Sequence, residues 1–164
     1  MRLKKIVLLL SLCLFGCTVG QESEAIRTGT YFDLIELLDE QIAMFEVEKP
    51  ALYKELNVNG ETEKITLKFD SAQQWKDELG LFYQADINKL GLETAYITEE
   101  LSVSNGNKKV IDSAKTEKPT VRSIEYNYIA NRLESIRILV RDKNPVYNFE
   151  KELNLFFDVK QGKS

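Results

Sequence analysis

The chain contains no histidine, and its 164 residues include only two cysteines and three prolines. Without imidazole, the commonest general base, the Ser–His and Cys–His nucleophile pairs and most transition-metal sites are gone. Among the eight glycines there is neither a phosphate loop nor a dinucleotide fingerprint, and Gly-x-Ser-x-Gly does not occur. Long apolar runs are equally scarce. The one clear case, Ile6 to Phe15, is interrupted only by Ser11 and falls short of the roughly 20 residues that span a bilayer.

That run has a specific setting. Arg2, Lys4 and Lys5 precede it, and it ends at Gly16-Cys17, after which the chain turns polar. A basic head followed by about ten apolar residues has the proportions of a secretory signal. A buried helix would show a polar face at a 3.6-residue period, and this run shows none. Leu14-Phe15-Gly16-Cys17 resembles the lipobox of bacterial lipoprotein precursors, although Phe15 stands where a small or β-branched residue is usual. The resemblance implies that signal peptidase II cuts before Cys17, whose thiol carries diacylglycerol and whose new amino terminus is often acylated (palmitate is typical). Cys13 is a poorer site because Leu12 precedes it.

On that reading residues 1–16 are the signal peptide, 17–29 a flexible tether and 30–164 one domain. Lipid attachment at Cys17 leaves no thiol for a disulfide, so the fold must hold by packing. Of the 22 Lys and Arg residues, three precede residue 17, so 19 face 26 acids and the mature balance is −7. An acidic domain is a poor partner for nucleic acid or anionic lipid, which need clustered cations. Two or three acyl chains on one residue, by contrast, hold a protein to a membrane essentially for good.

Along the domain the hydrophobic period changes once. Thr30 as a cap, with Asp33 three residues on, opens a helix with Tyr31, Leu34, Ile35, Leu38, Ile42 and Phe45 on one face, stopped by Pro50. Asn59-Gly60 between two extended runs marks a hairpin. In its return strand Ile65, Leu67 and Phe69 alternate with polar residues, which predicts one buried face. Asp70-Ser71 opens a second helix bearing Ala72, Trp75, Leu79 and Phe82, with Gly91 as its stop. From Tyr96 on the period is two. Turns at Asn105-Gly106 and Asn131-Arg132 and punctuation at 142–145 separate strands, the last with Tyr147, Phe149, Leu153, Leu155 and Phe157 on one side. The expected fold is α+β, with two amphipathic helices packed on one face of an antiparallel meander sheet. This order of elements, with Ala85-Asp86-Ile87-Asn88-Lys89, is similar to small uncharacterised lipoproteins of Bacteroidetes-type envelopes. That resemblance brings no activity with it.

Candidate chemistry is thin. Asp86-Ile87-Asn88-Lys89-Leu90-Gly91 has the first, third and sixth residues of a calcium loop, but Leu90 and Ile97 occupy the fifth and twelfth positions, where oxygen ligands belong. A helix end with local side-chain caps accounts for the same residues. The neighbouring carboxylates Asp39-Glu40, Asp77-Glu78 and Glu99-Glu100 diverge on a helix or a strand, so they read as solvated charge rather than a glycosidase pair. Tyr126, Tyr128, Tyr147, Phe149, Phe156 and Phe157 read mainly as core, with Phe156 on the polar side of its strand as the exposed exception. No catalytic, cofactor or metal site is expected. The expectation is a non-catalytic binding or interaction module, lipid-anchored through Cys17 in the bacterial cell envelope, at the outer membrane. Its partner would be an envelope protein; the alternative is a carrier or chaperone for apolar ligands such as lipids or lipoproteins.

Overall fold

The structure, a computed structural model, describes residues 28–104, 106–143, 146 and 148–157. Cys17, Asn105, the pair 144–145 and Tyr147 lie outside the described residues. Among these residues three helices and seven strands follow in order: α1 (Leu34–Glu48), β1 (Ala51–Val58), β2 (Glu61–Lys68), α2 (Ala72–Glu78), α3 (Gly80–Gln84), β3 (Tyr96–Ser104), β4 (Asn107–Ala114), β5 (Val121–Ile129), β6 (Arg132–Lys143) and β7 (Asn148–Phe156). All strand pairing is antiparallel, and the strands form two sheets: the ribbon β1–β2 and the five-stranded meander β3-β4-β5-β6-β7. An α+β architecture is what the periods called for, though its helices are few and short.

Three expected boundaries shift. The first helix is capped by Asp33, whose carboxylate accepts the Glu36 N–H at 2.8 Å, and not by Thr30. Residues 28–32 are held away from helical geometry by Asn88, as described below. The helix stops at Lys49, which takes a left-handed conformation (φ 52°) just before Pro50. The expected second helix is two helices. Its N-cap is Ser71, as expected, but it ends at Glu78, and α3 starts at Gly80. Glycine weakens a helix interior by about 1 kcal/mol relative to alanine, and here it marks the break. Gly91 has a positive φ but lies well beyond the last helical residue.

Alternation divides the meander into two faces. Inward-facing Ile124, Tyr126, Ile136 and Ile138 share one buried core with Leu34, Leu38 and Ile42 of α1 and with Trp75 and Leu79. Phe32 stacks at 4.6 Å on Tyr126, and Tyr31 meets Tyr96 edge-on at 5.5 Å. The opposite face carries charge: Lys109 pairs with Glu125 (3.0 Å), Glu125 with Arg137 (3.9 Å) and Arg137 with Glu152 (2.6 Å), one strand to the next. Such exposed pairs contribute little to stability, but they keep this face wet and the other inside.

The ribbon behaves differently. Asn59 and Gly60 both take positive φ (53° and 88°), and Val58 pairs with Glu61, so the two-residue turn forms where expected. The expected buried face does not form: Ile65 is exposed, and only the root of the ribbon is covered, where Leu52 and Phe69 pack on the core. The physical reason is that, among the described residues, no third strand or helix lies over the distal half.

Candidate functional site

At the corner where β6 ends and β7 begins, the cover over the meander is incomplete. Leu153 is nearly buried there, Val140 only part-buried and Phe149 exposed, and a groove of about 760 Å³ opens between them and α3. Leu81 and Leu92 form its helix-side wall, Tyr96 and Val121 its floor, and Lys118-Pro119-Thr120 its outer rim. Grooves of about 300–1,000 Å³ are of ligand size.

Each wall is positioned by identifiable bonds. On the helix side the chain from Ala85 to Asn88 is buried although it is neither helix nor strand, so its polar groups need partners. Asn88 supplies them: its Oδ1 accepts the Tyr31 N–H at 2.8 Å, its Nδ2 donates to the carbonyls of Tyr31 (3.1 Å) and Phe32 (3.0 Å), and its own carbonyl accepts from Thr28 N–H. Asp86 accepts the Asn88 N–H at 3.1 Å. Asp86 and Asn88 of the partial calcium motif therefore form a structural bracket that clamps the segment entering α1. Among the described residues no group of three or more His, Cys, Asp or Glu could hold a metal ion.

On the rim side, the Arg122 guanidinium donates to the carbonyls of Thr116 (2.5 Å) and Pro119 (3.2 Å) and pairs with Glu117 at 3.0 Å, which pins the loop that presents Lys118. On the floor, the Tyr96 hydroxyl donates to the Val121 carbonyl at 2.9 Å. Burial, opposed by the nearby Arg122 cation, pushes this phenol up to about 12, so it stays a neutral donor. Three lysines (Lys89, Lys118, Lys151) and two aspartates (Asp86, Asp142) line the groove, a net positive corner in an acidic domain.

A second polar feature lies inside the core. Asp112 of β4 is buried and accepts a hydrogen bond from the Thr98 hydroxyl at 2.5 Å. The Tyr126 hydroxyl faces this carboxyl but completes no hydrogen bond of ordinary geometry. Burial pushes the Asp112 carboxyl above its usual value, with Thr98 and Tyr126 pulling the other way. Burial, reinforced by the Asp112 charge, likewise pushes the Tyr126 phenol up. Asp112 and Tyr126 are buried while Thr98 is exposed on the edge strand β3, so the cluster is a polar spot running from the packing to the margin of the sheet.

The residues singled out by sequence are scattered. Cys17 lies outside the described residues. Phe156 is 75% exposed, as its strand parity foretold. Phe149 borders the groove, Tyr126 is core, and Tyr128 lies beneath the Lys108 ammonium at 5.0 Å. The three carboxylate pairs do not converge. Asp39 accepts from the Tyr83 hydroxyl and pairs with Lys76, Glu78 pairs with Lys54, and Glu100 with Lys108. None of the three lines the groove. Lys151 was overlooked, yet its signal was readable: it is a lysine between Phe149 and Leu153 on the apolar side of β7. No protein-family model matches the chain, and no curated protein or solved structure matches it either.

Proposed function

We propose that this protein is a lipid-anchored, non-catalytic binding module of the bacterial cell envelope, tethered at the outer membrane through acylated Cys17. The lipobox-like Leu14-Phe15-Gly16-Cys17 supports the anchor. One structural observation carries the binding half of the reading: the β1–β2 ribbon stands clear of the meander with Tyr53, Leu56, Val58 and Ile65 exposed and, among the described residues, no third strand on either edge. Edges and apolar side chains of this kind are suited to adding a partner's strand. Among the described residues no helix is long and apolar enough to cross a membrane.

The test has two parts. Wild-type protein should fractionate with membranes and take up labelled acyl chains, whereas Cys17→Ser should do neither. Membrane retention of the serine variant without label would defeat the anchor. Photo-crosslinkers placed at Tyr53 and Val58 in cells should give one defined protein adduct, absent when the probe replaces Phe156. Adducts equal at all three positions would defeat the ribbon as the partner surface.

A second reading, a carrier for apolar ligands, is favoured by a separate observation: the groove at the β6–β7 corner, with Leu81, Leu92, Val140 and Leu153 among its lining. It predicts that acyl compounds co-purify with the wild-type chain and are lost on filling the groove with Val140→Trp. Retention in that variant would contradict it.

A further inference from the structure

The cations of the groove are not equivalent. Lys89 donates to the Gln84 carbonyl at 2.7 Å, at the end of α3, so its ammonium is already engaged. Lys118 and Lys151 make no ion pair among the described residues, although the domain is rich in carboxylates. Lys118 is held in place by its Arg122-pinned loop. The Lys151 ammonium stands 5.0 Å over the face of the Phe149 ring, an orientation that fixes it at the groove mouth instead of letting it stray into solvent. Of the two aspartates, Asp86 is only 5% exposed and takes up the Asn88 N–H, while Asp142 ends the floor on β6. An apolar trough thus ends at Lys118, exposed on its pinned loop, and at Lys151, half-buried over the Phe149 ring, with no carboxylate paired to either among the described residues.

We infer that the groove seats a single-chain amphiphile with an anionic head, its chain along Leu81, Val140 and Leu153 and its head at Lys118 and Lys151. This rests on the carrier reading above and specifies the ligand for it. The chain supplies affinity, at about fourfold for each methylene buried. The head supplies selection: half-buried Lys151 gains more from an anion than a fully solvated ammonium does, and exposed Lys118 adds a second cation beside it. An overall acidic surface would repel such ligands elsewhere, so the positive corner also directs them to one place.

Chain-matched photoreactive probes separate the two parts. The full chain, anchored in phosphatidylcholine vesicles, is labelled with a twelve-carbon carboxylate, alcohol or trimethylammonium compound, each bearing a diazirine, and the labelled residues are mapped by mass spectrometry. The carboxylate should mark the groove at least fivefold more than the trimethylammonium probe. Lys118→Ala/Lys151→Ala should reduce carboxylate labelling to the level of the alcohol and leave the alcohol unchanged. Lys118→Arg/Lys151→Arg should preserve the selectivity, which separates loss of charge from loss of fold. Groove labelling that is equal for all three probes, or indifferent to the alanine pair, would overturn the head-group assignment while leaving the carrier reading intact. Groove labelling by none of them would overturn both.

Discussion

Two antiparallel pieces of this protein are written in almost the same sequence language. Strand β2 alternates Ile65 and Leu67 with Lys64, Thr66 and Lys68, and β6 alternates Ile136 and Ile138 with Ser135, Arg137 and Leu139. Each leads out of a two-residue turn with both φ values positive, Asn59-Gly60 in one case and Ala130-Asn131 in the other. Yet Ile136 and Ile138 are wholly buried, while Ile65, Leu56 and Val58 face solvent. What differs is the cover. β6 has a strand on each side and a helical layer over its apolar face, whereas the ribbon is covered at its root, where Leu52, Phe45, Phe69 and Trp75 gather, with Lys54 tied to Glu78. A two-stranded hairpin is at best marginal in water unless something packs on it. Period two tells which side is apolar; whether anything lies on that side is a property of the whole fold.

The sharpest way to break the comparison is one substitution made twice. Ile138→Ala should cost about 2–5 kcal/mol in denaturant unfolding, from lost transfer energy and the cavity left behind. Ile65→Ala should cost less than about 0.5 kcal/mol, as for an ordinary surface change. Equal losses would mean the ribbon is part of the cooperative core. Next in size, Asn88→Ala should cost about 2 kcal/mol, because it removes the side-chain partner of the part-buried Tyr31 N–H and of the Tyr31 and Phe32 carbonyls, of which Phe32 keeps the Leu34 N–H; the meander should keep its amide protection while residues 28–33 lose theirs.

Asp112 adds an acid-side pH dependence to the covered sheet. Its folded-state pKa lies above the ordinary aspartate value, so the folded chain holds the proton more tightly than the unfolded one. Its contribution is therefore complete below about pH 4 and is lost as pH rises through the folded-state pKa. Asp112→Asn, which can still accept from Thr98, should flatten this part of the stability curve measured by urea unfolding at stepped pH. An unchanged slope would assign the dependence elsewhere. The smallest expected effects are opposite in sign at the two turns. Ala130 is a non-glycine residue at φ 48°, so Ala130→Gly should stabilise by about 0.5 kcal/mol, whereas Gly60→Ala should destabilise the ribbon by about 1 kcal/mol, read as faster amide exchange in residues 51–68.

Local features were legible where one residue type decides them. Asn59-Gly60 fixed the ribbon turn, and the exposure of Phe156 followed from parity alone. The β5–β6 turn came one residue early, at Ala130-Asn131, because alanine gives no sign that it will take a left-handed conformation. The split between α2 and α3 was written at Gly80 and outweighed by an apolar stripe that ran on past it. The bracket at Asn88 could not be read, since its partners are 56 and 57 positions away. Half the candidate groove was visible as Lys151 on an apolar strand face. The other half, the placing of Lys118, depends on Arg122 gathering the loop carbonyls, which only the folded chain shows.

Amide exchange of the vesicle-anchored full chain, with and without saturating dodecanoate, tests this division of labour most directly. The covered sheet and its open corner should hold the ligand while the ribbon stands apart, so protection should rise in peptides covering 80–92, 117–121 and 149–155 and stay unchanged across 51–68. Protection gained in 51–68, or no gain at the corner, would contradict it.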